Sequence, residues 1–117
     1  MTTINIIPQV SETYNVGAIL YNDWGYEQTN IDFYCIIVRK GEWLTLVPMT
    51  KAVTPDGGFQ SMTNKVLPGQ MKFDAKPIRK KLKSFKGEER GFSFESYSGG
   101  GWCSLWNGKP KFESHYA

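Results

Sequence analysis

Two stretches of this 117-residue chain carry residue types that could do chemistry. The first, Tyr21 to Asn30, sets Trp24 and Tyr26 on either side of Gly25 and adds Asp23, Glu27, Gln28 and Asn30. Aromatic rings stack on nucleobases and amides read base edges, so Trp24 and Tyr26 could stack on a base while Gln28 and Asn30, with Glu27 beside them, read it. A structural use fits the same residues: two rings that plug one end of a barrel and polar side chains that cap backbone groups in a tight loop. The second stretch is basic. Lys76, Arg79, Lys80, Lys81, Lys83, Lys86 and Arg90 are seven of the 14 cations, and only Glu88 and Glu89 share their window. The segment is thus +5, and the remaining seven cations against nine acids give −2, within a formal total of +3. Such polarity suits phosphate contacts or an acidic protein partner. Lysines also guard exposed sheet edges, so a solvated surface strand is the alternative.

Catalytic sets are hard to assemble from the rest. The single histidine, His115, stands two residues from the end, and the two cysteines, Cys35 and Cys103, fit neither a zinc spacing nor a C-x-x-C motif. Both thiols read as reduced and buried. Gly99-Gly100-Gly101 lacks the Gly-Lys-Ser/Thr of a phosphate-binding loop. Asp23, Glu27 and Asp32 could in principle pair as acid and base, but three acids in ten loop residues is ordinary. The expectation is a protein that is not an enzyme and needs no cofactor or metal.

The elements that must position these residues read as strands and turns. Val16–Tyr21 is a short β-prone run, and Ile31–Arg39 is rich in β-branched and aromatic residues. Lys40-Gly41 supplies a tight turn back into Glu42–Val47, the best hairpin in the chain. Thr54–Gly58 and Leu67–Gln70 read as turn clusters that interrupt regular structure. Residues 76–86 are open between helix, with Ile78, Leu82 and Phe85 on one face, and strand. Phe92–Tyr97 alternates as a half-buried strand, Ser98–Gly101 links, and Trp102–Trp106 leads through Asn107-Gly108 into Lys109–Tyr116 as a second hairpin. With 15% aromatic residues and 12 glycines, the chain is predicted to be all-β. The architecture is a small, SH3-like, partly open barrel of five to seven short strands over 16–117, behind a polar lead-in of residues 1–15. No apolar run approaches 18 residues and Met1–Asn5 carries no basic leader, so a cytoplasmic protein without a membrane span is expected.

Trp24-Gly25-Tyr26-Glu27-Gln28-Thr29-Asn30 with Asp32-Phe33-Tyr34, and the tail Trp102–Trp106, Asn107-Gly108-Lys109-Pro110 and Tyr116-Ala117, resemble motifs of small proteins encoded by phages, plasmids and other mobile elements. The resemblance implies context and not chemistry: an accessory protein that binds a host protein, such as a defence component, or nucleic acid. It also favours strand for 76–86. A second similarity runs to the MazF/PemK toxin ribonucleases, through Gly17-Ala18-Ile19, Gly25-Tyr26-Glu27-Gln28 and Pro48-Met49-Thr50. It implies an SH3-like barrel and, as the alternative function, an endoribonuclease or an inactive relative. Where that family places its catalytic Arg-Pro, this chain has Thr29-Asn30.

Overall fold

The computed structural model describes residues 6–24, 30–55, 63–93 and 101–114. Among them are nine strands and no helix: β1 (Ile19–Trp24), β2 (Asn30–Lys40), β3 (Trp43–Pro55), β4 (Thr63–Met71), β5 (Ile78–Lys81), β6 (Lys83–Phe85), β7 (Glu88–Ser93), β8 (Trp102–Leu105) and β9 (Lys111–Ser114). All ladders between them are antiparallel, in the order β6-β7-β8-β1-β2-β3-β4-β9, with β5 also on β3. β5 and β6 are consecutive, separated only by Leu82, and one ribbon therefore pairs β3 at Trp43–Leu46 and β7 at Glu88–Gly91. The pairings return to β1 through β7 and β8, and a small barrel results. The bend at Leu82 is the joint, secured by its N–H donating to the Glu42 carbonyl at 2.7 Å.

Alternation along the strands fills that barrel. Leu20, Ile36, Leu44, Leu46, Leu82, Phe92 and Cys103 point inward, at least one from every stave, and Tyr14 joins them from the lead-in. The opposite face of β1–β3 carries Ile19, Phe33, Cys35, Val47 and Met49 into a second core, closed by Val66 of β4 and by Trp106. Phe33 and Trp106 meet edge to face, centroids 5.8 Å apart. β1–β3 are thus buried on both sides, which is why Ile31–Arg39 reads as nearly continuous apolar sequence.

Several expectations change here. Within 76–86, residues 78–81 and 83–85 are strand and none is helix, and the helix-like spacing of Ile78 and Leu82 arises because both face the core. The count is nine strands, above five to seven, because β3 runs on to Pro55 and pairs a long β4. Leu67-Pro68-Gly69-Gln70 is not a turn but part of β4, opposite a register shift between Met49 and Lys51. At that bulge the Thr50 hydroxyl accepts from the Gln70 N–H at 2.8 Å, and a side chain at Gly69 would strike Thr50. Asn107-Gly108 does not make a hairpin: Gly108 takes φ +88° and the chain turns, but β9 pairs β4 and not β8. The tight turn that the sequence reading missed is Lys86-Gly87, both at positive φ, between β6 and β7. The lead-in is part of the fold, since Gln9 exchanges backbone bonds with Gly17 and Ile19. Of the expected strand Phe92–Tyr97, residues 94–97 lie outside the described residues.

If Leu82 is the joint of the barrel, Leu82→Ala should cost about 2–5 kcal/mol, the range for a buried leucine. Leu67→Ala, on the half-exposed outer side of β4, should cost less than about 1 kcal/mol. Urea unfolding of both variants measures this, and equal effects would contradict the role given to Leu82.

Candidate functional site

The basic stretch folds into an exposed ribbon edged by aromatic rings. Arg79 and Lys81 face outward on β5, paired with Thr45 and Trp43 of β3. The Arg79 guanidinium carbon lies 4.8 Å from the Trp43 ring centroid, a cation–π contact on a tryptophan that is 44% exposed. Val38, Lys40, Trp43, Thr45 and Arg79 line a groove of about 350 Å³ on this outer face. The β6–β7 hairpin continues the ribbon with Lys83, Phe85, Lys86 and Arg90 all exposed. Phe85 is 58% exposed, with Lys86 Nζ 5.5 Å and the Arg90 guanidinium carbon 6.0 Å from its centroid.

Carboxylates temper this charge only at the rim. Glu42 approaches Lys81 at 3.8 Å and Glu88 approaches Arg90 at 2.7 Å, both as surface pairs worth about 0–1 kcal/mol. Glu89 is engaged bidentately by Arg39, which also donates to the Tyr14 carbonyl at 2.8 Å. Among the described residues, Lys76, Lys83 and Lys86 have no carboxylate within ion-pairing distance. Lys80 departs from the sequence expectation. It pairs Leu44 and shares the inward side with Ile78 and Leu82, so alternation takes it off the outer face that Arg79 and Lys81 occupy.

A separate polar network joins Trp24, at the end of β1, to Ile31 and Asp32, at the start of β2. Trp24 Nε1 donates to Asp32 Oδ2 at 2.6 Å, and the indole is 36% exposed, neither free nor buried. Asp32 lies 3.6 Å from Lys51 Nζ, which donates to Glu113 Oε2 and to the Ile31 carbonyl, each at 2.8 Å. Glu113 Oε2 also accepts from the Ile31 N–H at 2.9 Å. Both backbone groups of Ile31 are therefore held by side chains from β3 and β9, and the start of β2 is clamped where the loop ends. Sequence reasoning missed Lys51 and Glu113, which are 62 residues apart. Asn30 is half-buried at the end of the β1–β2 ladder opposite Trp24, while Tyr26, Glu27 and Gln28 lie outside the described residues.

The considered acid pair is split by geometry. Asp32 is the cross-strand partner of Asn22, and Asp23 is one residue on, so the two acids leave opposite faces of the β1–β2 ladder. Both thiols are fully buried, and burial raises Cys35 from 9.0 to about 11 and Cys103 further still. Burial, and then the charge of Asp32, also push the Tyr34 phenol well above its ordinary value. No protein-family model matches the chain, and no curated protein or solved structure matches it.

Two measurements test this geometry. Glu113→Ala should destabilise by about 1–3 kcal/mol, the cost of leaving the Ile31 N–H without its acceptor, and Glu113→Gln by less. A neutral Glu113→Ala in urea unfolding would contradict the clamp. The folded state favours the neutral Cys35 thiol, so this stabilisation is complete below pH 9.0 and is lost as pH rises through about 11. The melting temperature should fall across that window, and Cys35→Ser should flatten the fall.

Proposed function

We propose that this protein acts by binding and not by catalysis, and that its ligand is single-stranded nucleic acid held along the outer face of β5–β7. The observation that carries the reading is the neighbouring of exposed rings and cations on and beside the ribbon: Trp43 of β3 under Arg79 of β5, and Phe85 of β6 beside Lys86 and Arg90. Lysines and arginines neutralise phosphates, and aromatic faces stack bases at about 1–3 kcal/mol each without demanding a sequence. A protruding ribbon with exposed rings suits an unpaired strand, whose bases are free to stack, better than a duplex, whose bases are not. Chemistry finds less support, since burial holds both thiols protonated and the faces of β1 and β2 separate Asp23 from Asp32. Against the MazF/PemK-like ribonuclease reading stands Thr29-Asn30, where that family places its catalytic Arg-Pro. The resemblance to proteins of phages and mobile elements supports an accessory role inside a host cell, in its cytoplasm.

An acidic surface of a host protein, such as a defence component, is the second reading. Its support is that Arg39, Lys81 and Arg90 already hold carboxylates.

Fluorescence anisotropy with labelled oligouridylate and oligothymidylate should show binding that weakens steeply with salt, by a slope of about −0.7 per phosphate contacted. Lys83→Glu with Lys86→Glu should lower affinity by about tenfold or more and flatten the slope, whatever the sequence of the strand. Absence of binding at low salt overturns the nucleic-acid reading and leaves the acidic protein partner.

A further inference from the structure

Six outward residues of β2, β3 and β5 stand in two cross-strand rows. Lys40, Trp43 and Lys81 form one, and Val38, Thr45 and Arg79 form the other. Alternation puts them on the face opposite Leu44 and Leu46, away from the barrel core. All but Lys81 line the groove of about 350 Å³ described above. That volume is at the small end of the range for ligand sites, so it suits one nucleotide and not several. No acid lines it. Among the described residues Lys40 has no carboxylate within ion-pairing distance, and Glu42 reaches only the rim, at Lys81.

The floor of the groove holds an unused hydroxyl. Thr45 is half-buried at the centre of its row, with Val38 on one side and Arg79 on the other. Among the described residues its side chain has no hydrogen-bond partner. Because Thr45 lines the groove, a ligand seated there can reach it. Trp43 stands two residues away on the same face of β3, about 7 Å by strand rise. The Arg79 guanidinium carbon lies 4.8 Å from that ring centroid, and both kinds of plane stack bases. A base is separated from the 2′-oxygen of its own ribose by a distance of the same order. A base laid on the Trp43–Arg79 pair therefore carries its ribose over Thr45, with Lys40 beside it for a phosphate.

We propose that this groove reads ribose, so that the strand held by the ribbon is RNA, and that the Thr45 hydroxyl hydrogen-bonds the 2′-hydroxyl of one nucleotide. The proposal rests on the nucleic-acid reading above and deepens it by naming the sugar. A threonine hydroxyl donates and accepts, as does a 2′-hydroxyl, so the bond can run in either direction. Deoxyribose offers only C–H there and leaves Thr45 without the bond. Phosphate and ring contacts along β5–β7 are common to both sugars, so the preference comes from the groove. One hydroxyl pair makes that preference modest.

The test uses the whole chain and labelled hexamers of uridine, deoxyuridine and 2′-fluorouridine, read by anisotropy at low salt. The uridine strand should bind about fivefold tighter than the deoxyuridine strand, the scale of one net hydrogen bond. The 2′-fluoro strand keeps the sugar pucker of RNA without the hydroxyl, and it should bind like deoxyuridine. Thr45→Val keeps the β-branched shape and should bring uridine down to the deoxyuridine level. Thr45→Ser should keep the preference, and Lys83→Glu should weaken all three strands together. Should Thr45→Val not fold, the 2′-fluoro comparison on wild-type protein still decides. Equal, salt-sensitive binding of uridine and deoxyuridine overturns the ribose reading and leaves the ribbon standing. So does a 2′-fluoro strand as tight as uridine, or a preference that survives Thr45→Val. No binding of any strand overturns both.

Discussion

The ribbon from Ile78 to Phe85 must serve two ladders at once, β3 at one end and β7 at the other, and the rest of the molecule depends on the bend that lets it do so. A straight strand could follow only one of them. By turning at Leu82, the chain puts one leucine into the core and brings β7 and β8 back to β1. The seven inward side chains then share one core. The same bend decides where charge can go. With Ile78 and Leu82 committed inward, Arg79 and Lys81 must face solvent, and Lys83 to Arg90 are carried out on a hairpin that buries little. Low burial and high charge on one ribbon are consequences of closing the barrel with so short a segment.

The second constraint is that the middle of β1, β2 and β3 packs on both faces. One side fills the barrel and the other packs beneath β4, β9 and Trp106. At the Trp24 end, polar groups form one connected set from Trp24 through Asp32 and Lys51 to Glu113. That set ties the last described strand to the start of β2, at Ile31.

How much of this was legible in the residues follows from what kind of signal each part leaves. The hairpin of β2 and β3 was visible because Lys40-Gly41 separates two apolar runs, and Gly41 takes φ +60° as such a turn needs. Thr63–Met71 was not, because Pro68-Gly69 carries the signature of a turn, and only its long-range ladders to β3 and β9 make it a strand. The charge of 76–90 was plain, but the inward placement of Lys80 needed the register against Leu44. Trp24 stood out as an aromatic beside a glycine. Lys51, Glu113 and Thr45 did not, since nothing local distinguishes a lysine, a glutamate or a threonine that meets its partner, or lacks one, across a fold.

The central claim is that a nucleic-acid strand runs along β5–β7 with its bases on exposed rings. Photo-crosslinking of a uridine oligomer carrying one 5-iodouridine, followed by mass spectrometry of the digested protein, reads that contact directly. The account predicts crosslinks at Phe85 and Trp43, lost together when the salt is raised. Crosslinks confined to the apolar side around Ile7, Val10 and Val16, or none on the ribbon, would contradict it.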